Sequence, residues 1–131
     1  MNELKQEWPA GIAAVTLFVD DLAAARTFYR EVFGLEVVYE DEDSAVFRFG
    51  DTLINLLRET AAPGLVKPAE VAPVEAGVRF QFTLAVDDVD GMCEELTRRG
   101  VVLLNGPVDR PWGVRTASFR DPGGHIWEIA Q

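Results

Sequence analysis

The sequence predicts an α+β protein built from two copies of a βαβββ module, and three observations support this fold class. The segment TLFVDDL at residues 16–22 recurs about half a chain length later as TLAVDDV at 83–89. Each copy is followed by apolar residues at helical spacing, and then by three short β-rich runs separated by turn residues. A repeat that takes up half the chain indicates a duplicated module rather than a solenoid of many short units.

The first module is predicted to span about residues 11–58. Its first strand ends at Asp20-Asp21, and this pair suits a helix N-terminus because aspartate caps free amide groups and faces the positive end of the helix dipole. The helix is expected to end at Gly34, a residue type favoured just after a helix. The three strands that follow are predicted at Leu35–Tyr39, Ala45–Phe49 and Thr52–Leu57.

The second module, at about residues 78–131, repeats this pattern after a linker at 59–77 that is rich in Pro, Ala, Gly and Glu. Its helix is predicted between Asp87-Asp88 and Gly100. Its later strands are predicted at Val101–Leu104, Val114–Phe119 and His125–Ala130. Each four-stranded sheet carries one helix, and we expect the opposite faces of the two sheets to curve around a shared ligand cleft.

Composition excludes several classes of function. The 131 residues form about one domain, with 12 basic and 22 acidic side chains and a net charge of −10. Such acidity disfavours nucleic acid and anionic membranes, and no apolar stretch approaches the length of a membrane span. A single cysteine, Cys93, cannot form an internal disulfide and lies on the apolar stripe of the second helix. We expect a cytoplasmic protein.

The duplicated βαβββ pattern, FYREVFGLEVV at 28–38 and RDPGGHIWEI at 120–129 together resemble the vicinal oxygen chelate superfamily. That superfamily includes glyoxalase I, extradiol dioxygenases, fosfomycin-resistance enzymes and bleomycin-resistance binding proteins. The resemblance covers the chain from about residue 11 to its end and implies a homodimer. Members pair their modules either within one chain or between two swapped chains, so both pairings stay open for the cleft. It does not specify one activity, because the same fold hosts several chemistries and a non-catalytic binder.

The resemblance places the four metal-ligand positions of the superfamily on Ala14, Asn55, Gln81 and Glu128. Only Glu128 carries the usual ligand type, since Asn55 and Gln81 are amides and Ala14 has no donor atom. Transition metals prefer imidazole, thiolate or carboxylate, although one carboxylate and two amides could hold a hard cation weakly. The sequence therefore predicts no metal and no cofactor, and a divalent metal enters only an alternative interpretation.

Strand alternation places Phe18 on the predicted cleft side of the first strand and points Glu128 into the cleft. Glu128 either accepts hydrogen bonds from a ligand or pairs with a cation on an adjacent strand, for which Arg48 and Arg115 are candidates.

Trp112 either stacks on a ligand at the rim of the cleft or caps the core. His125, the only histidine, is expected to face away from the cleft in a structural or exposed role. The predicted ligand-binding residues are Phe18, Arg48, Asn55, Gln81, Trp112, Arg115 and Glu128.

Three functional hypotheses remain open. The first is a metal-independent protein that binds a small organic, cationic ligand, resembling sequestering proteins of antibiotic resistance. The second is a metal-dependent enzyme of the glyoxalase or dioxygenase type with a degenerate ligand set. The third is a structural or regulatory dimer whose cleft is not used.

Overall fold

Two four-stranded sheets and two ten-residue helices make up most of the computed structural model, which describes residues 7–131. The elements are β1 (Ala14–Val19), α1 (Leu22–Glu31), β2 (Val37–Glu40), β3 (Ser44–Phe49), β4 (Thr52–Arg58), α2 (Pro63–Val66), β5 (Gln81–Ala85), α3 (Val89–Arg98), β6 (Leu103–Asp109), β7 (Arg115–Arg120) and β8 (Ile126–Ala130), with a 3-10 turn at Val74–Ala76. No helix among the described residues is long and apolar enough to cross a membrane.

The two sheets have the same topology. Their strand orders are β1-β4-β3-β2 and β5-β8-β7-β6, and in each sheet the first and last strands of the module pair in parallel. The other neighbours pair antiparallel. This arrangement confirms the predicted α+β class and the two βαβββ modules.

Both long helices begin as the aspartate pairs predict. The Asp21 carboxylate accepts a hydrogen bond from the Ala24 amide at 3.0 Å, and the Asp88 carboxylate accepts one from the Gly91 amide at 3.1 Å. Each bond satisfies an amide that the first helical turn leaves free, so the same local signal starts both helices.

Two segments differ from the sequence prediction. The linker contains the short helix α2, and β6 begins at Leu103 and continues to Asp109 instead of ending at Leu104. Asn105-Gly106-Pro107, predicted as a turn, lies inside β6 at register shifts against β7. Gly106 has a φ of +89°, and a Cβ there would lie 2.5 Å from the Thr116 carbonyl oxygen. Glycine therefore lets the bulged strand approach β7 closely.

One continuous core lies on the helix side of both sheets. Tyr29 and Phe33 of the first module pack against Trp127 of the second, with ring centroids 6.1 and 4.9 Å apart. Phe47 and Phe119, at corresponding positions of the two sheets, are fully buried in the same cluster. The opposite face of each sheet is turned away from this core, and we call these the first and second outer faces. They carry Thr16 and Asn55 on the first sheet, and Thr83 and Glu128 on the second.

Candidate functional site

Glu128 lies at the centre of the second outer face. Its neighbour on β5 is Thr83, whose hydroxyl donates a 2.9 Å hydrogen bond to the carboxylate. Its neighbour on β7 is Ser118, which is buried. Gln81 is exposed two residues before Thr83, so alternation places it on the same face. The carboxylate thus lies among hydroxyl and amide groups on a partly solvated surface.

Arg110 adds a positive charge to the second outer face, and no sequence pattern singled it out. Its Nε donates to the Thr116 hydroxyl at 2.8 Å, and its Nη2 donates to the Asn105 side-chain oxygen at 3.2 Å. Thr116 lies two residues before Ser118, on the same face of β7. Arg110 lies in the loop after β6, where no helical or strand periodicity predicts the direction of its side chain. Only its hydrogen-bond partner Thr116, which alternation places on the same face as Glu128, could have indicated its position.

The first outer face is more apolar. Asn55 pairs in register with Thr16, and its amide donates a long hydrogen bond of 3.4 Å to the Thr16 hydroxyl. The Asn55 side-chain oxygen is buried and accepts no hydrogen bond from any described residue. Phe18 and Leu57 also pair across β1 and β4, and they place an apolar surface beside this amide. The result is an apolar patch with one available hydrogen-bond acceptor.

Neither arginine predicted beside Glu128 pairs with it among residues 7–131, and the position of Arg115 contradicts its part of that prediction. Arg48 is exposed on the first sheet and pairs in register with Leu53, which places it on the first outer face with Asn55. Arg115 lies on the opposite face of β7 from Ser118, and its guanidinium makes ion pairs with Asp90 and Asp109, each at 2.9 Å. These hydrogen-bonded carboxylates raise the pKa of the Arg115 guanidinium above its ordinary value.

Trp112 lies in the turn between β6 and β7 with 71% of its surface exposed. This exposure argues against a core-capping role. A role for Trp112, or for either arginine, in ligand binding stays a prediction.

The expected cleft between the two modules is not formed by the described residues of one chain. No strand of one sheet pairs with a strand of the other, and no hydrogen bond among residues 7–131 joins the Thr16–Asn55 pair to the Thr83–Glu128 pair. The physical reason is the shared aromatic core, which occupies the helix side of both sheets and leaves the two outer faces on separate surfaces.

His125 belongs to a network that joins the modules. Its Nδ1 lies 3.0 Å from both oxygens of the Asp121 carboxylate, and that carboxylate also accepts the Tyr29 hydroxyl at 2.6 Å. The Trp127 indole in turn donates to the Tyr29 oxygen at 3.2 Å. Burial, followed by the charge of Asp121, raises the pKa of Tyr29 well above its ordinary value. Sequence reasoning missed Asp121, since the DPGG segment indicates a turn but not a buried carboxylate.

Comparison with known proteins agrees with this architecture. The model of the Glyoxalase/Bleomycin resistance protein/Dioxygenase superfamily matches residues 11–129. The chain belongs to this superfamily. Members bind small-molecule ligands and often form dimers.

Individual members of the superfamily are similar over most of their length. The uncharacterized protein YraH of Bacillus subtilis (strain 168) is 34% identical over 119 residues, which cover 88% of this chain and 93% of YraH. The metallothiol transferase FosB of Staphylococcus haemolyticus (strain JCSC1435) is 26% identical over 119 residues, covering 91% and 81%. A glyoxalase/bleomycin resistance protein/dioxygenase from Nocardioides superimposes with a TM-score of 0.84 at 22% identity, covering 95% of this chain and 85% of that one.

The metal-ligand positions of the superfamily do not fit a transition metal in this chain. Ala14 offers no donor, and Asn55 lies on a different sheet from Gln81 and Glu128. No group of three or more His, Cys, Asp or Glu side chains is placed to hold a metal ion within residues 7–131. A neutral amide is a poor ligand for such ions, so one carboxylate remains as the strong donor.

Proposed function

We propose that the chain is a metal-independent small-molecule-binding protein that acts as a homodimer in the cytoplasm, similar to the sequestering proteins of bleomycin resistance. This proposal rests on the chemical groups that the side chains of the two outer faces present. They combine an apolar aromatic surface with hydroxyl, amide and carboxylate groups, and they lack the ligand set of a metal centre. Small-molecule pockets commonly have this composition.

The acceptors on the two faces favour a ligand that donates hydrogen bonds. Arg110 and Arg48 also place positive charge there, so the preference for a cation rests on Glu128 and on the charge of the whole chain. Glu128 offers a carboxylate, and the Asn55 oxygen is a buried acceptor without a described partner. The chain as a whole carries a net charge of −10, which attracts cations at long range. A planar apolar body would cover Phe18 and Leu57, which lie beside Asn55.

Dimerisation supplies the enclosure that one chain lacks. Because the outer faces lie on separate sheets and do not meet, a second copy is needed to cover each of them. In the proposed dimer the first outer face of one protomer lies opposite the second outer face of its partner. The ligand then contacts the Asn55 region of one copy and the Glu128 region of the other.

Thermal unfolding in the presence of proflavine, a planar aromatic cation, tests this proposal. If the probe binds the native dimer alone, a hundredfold excess over its dissociation constant stabilises the fold by about 2.7 kcal/mol. Analytical ultracentrifugation of the same samples gives the oligomeric state. Unchanged unfolding temperatures with proflavine and with other planar cations, at millimolar concentration, would contradict the proposal.

A metal-dependent enzyme is the second candidate, and the carboxylate of Glu128 together with the similarity to FosB favours it. Calorimetric titration with Mn, Fe(II), Co, Ni and Zn separates the two functions, with Glu128→Ala as the control. We expect no binding tighter than millimolar. One ion per cleft at micromolar affinity, lost in Glu128→Ala, would overturn the metal-independent proposal.

A further inference from the structure

A cavity of about 370 Å³ lies where the linker crosses the end of β1 and meets the β7–β8 turn. Phe18 and Thr16 line it from β1, Val74 and Phe80 from the linker side, and His125 from the turn. Its size falls within the range of small-molecule pockets, and its lining is mainly apolar.

His125 lines this cavity and has one ring nitrogen, Nε2, that no described residue contacts through a hydrogen bond. The Asp121 carboxylate accepts the Tyr29 hydroxyl at 2.6 Å, the His125 amide at 2.9 Å and the ring Nδ1 at 3.0 Å. A carboxylate that receives these donors holds an imidazole hydrogen on Nδ1, so a lone pair is present on Nε2 when the ring carries one proton.

The imidazole is held rigidly as well as oriented. Asp121 is only 4% exposed, and a Cβ added at Gly123 would lie 2.8 Å from the ring carbon Cε1. The Phe80 ring lies beside the imidazole with its centroid 6.4 Å away. A preorganised acceptor between aromatic walls loses little entropy when a ligand donates to it.

We propose that this cavity binds a neutral aromatic molecule that donates an O–H or N–H hydrogen bond to His125 Nε2. The apolar walls favour the ring, and Nε2 selects for the donor. Glu59 lines the same cavity and is a second acceptor, whereas the Arg79 side chain, also a lining residue, is largely exposed. This site shares Thr16 and Phe18 with the first outer face, but it uses neither Asn55 nor Glu128. Glu128→Gln should therefore weaken proflavine binding and leave 2-naphthol binding unchanged.

A matched pair of probes tests the proposal on the intact protein. The molecule 2-naphthol has the donor, and 2-methoxynaphthalene has the same ring system without it. We expect 2-naphthol to bind about tenfold more tightly, because an unsatisfied Nε2 in the methoxy complex costs about one hydrogen bond. His125 is the only histidine, so the ¹⁵N resonance of Nε2 reports directly on this contact and is expected to shift with 2-naphthol.

Three variants test whether the probes bind in this cavity and whether His125 is the acceptor. His125→Phe keeps an aromatic ring and removes this acceptor, so the preference for 2-naphthol is expected to fall to the part that Glu59 supplies. A preference that stays tenfold in this variant would overturn the role of His125. Val74→Trp fills the cavity from the linker and is expected to abolish binding of both probes, even if His125→Phe fails to fold. Val102→Trp adds the same ring at an 87% exposed valine outside the cavity lining and should leave both affinities unchanged. Equal affinities for the two probes in the unmodified protein, or binding that survives Val74→Trp, would overturn the proposal.

Discussion

The two modules are most alike where they are buried and least alike on their outer faces. Phe47 and Phe119 occupy the same place in the two sheets and are fully buried, and Leu22 and Val89 start the two long helices with almost no exposure. These positions contribute to one shared core, so a change on either side would leave a void or a clash.

The outer faces have diverged in charge and in apolar content. The first carries the neutral pair Thr16–Asn55, whereas the second carries Thr83 with the Glu128 carboxylate. Phe18 on β1 corresponds to Ala85 on β5, which makes the first face the more apolar one. The two modules thus share one scaffold, while each outer face carries different groups for binding.

The two final hairpins show a second divergence. Gly50 and Asp51 alone connect β3 to β4, while the β7–β8 connection runs from Asp121 to His125. The longer turn brings in the carboxylate that accepts the Tyr29 hydroxyl from the other module. The second hairpin therefore links the modules through polar contacts, and the first has no such role.

The largest expected effect is a loss of stability on truncating core residues, and it tests whether the two modules unfold together. Trp127→Ala removes an indole that is 2% exposed and packs against Tyr29, Phe33 and Phe49, so we expect a loss of about 4 kcal/mol in the free energy of unfolding. Ile54→Ala, at the corresponding position of the first sheet, is expected to cost about 3 kcal/mol. Urea denaturation followed by tryptophan fluorescence and circular dichroism measures both. A single transition supports one shared core, whereas two separate transitions would show independent modules.

The next largest effect is on ligand affinity, and it tests whether the two outer faces contribute differently to binding. Glu128→Gln removes the negative charge but keeps a hydrogen-bonding group, and we expect the affinity for proflavine to fall about thirtyfold, or about 2 kcal/mol. Asn55→Ala removes a neutral acceptor and is expected to cost about fivefold. Calorimetry on folded variants gives both values. Equal losses would contradict a charge-based difference between the faces.

A smaller effect follows from the raised pKa of Tyr29. An unfolded tyrosine ionises near pH 10, but the folded hydroxyl stays protonated, so stability is complete below that pH and falls as the pH rises above it. We expect unfolding free energies to drop more steeply above pH 10 in the unmodified protein than in Tyr29→Phe, by about 1.4 kcal/mol per pH unit.

The second tyrosine provides the control. Tyr39 is exposed, and its hydroxyl donates to Asp41 at 2.9 Å, which also raises its pKa. Because water screens this contact, Tyr39→Phe should change the alkaline slope much less than Tyr29→Phe. Identical slopes in all three proteins would show that the Tyr29 hydroxyl is not protected in the native state.

Local signals predicted the scaffold well. The Asp21 and Asp88 caps and the repeated strand–helix order depend on neighbours within a few residues, and such patterns are visible in a sequence. Alternation also placed Phe18 and Glu128 on the faces opposite the core. These inferences need only the regular repeat of side-chain direction along a helix or a strand.

Contacts between distant parts of the chain could not be read in this way. Tyr29 and Asp121 are 92 residues apart in sequence, and their hydrogen bond depends on how the modules pack. The partners of Arg115 depend on the register of β6 against β7, which two irregularities shift. The separation of the outer faces depends on the shared core, so the sequence alone could not tell whether the cleft forms within one chain or between two.

The smallest expected effect compares the two threonines directly. Thr83→Val removes a 2.9 Å donor to the Glu128 carboxylate, and because the pair is solvent-accessible we expect a loss of only about 0.5 kcal/mol in stability. Thr16→Val removes a 3.4 Å contact with the neutral Asn55 amide, and its cost should not be measurable. Chemical denaturation of the two single variants and of the double variant measures each loss of stability and shows whether the two losses add. A larger loss for Thr16→Val would mean that the first outer face holds the more tightly organised site, and the roles assigned to the two faces would have to be exchanged.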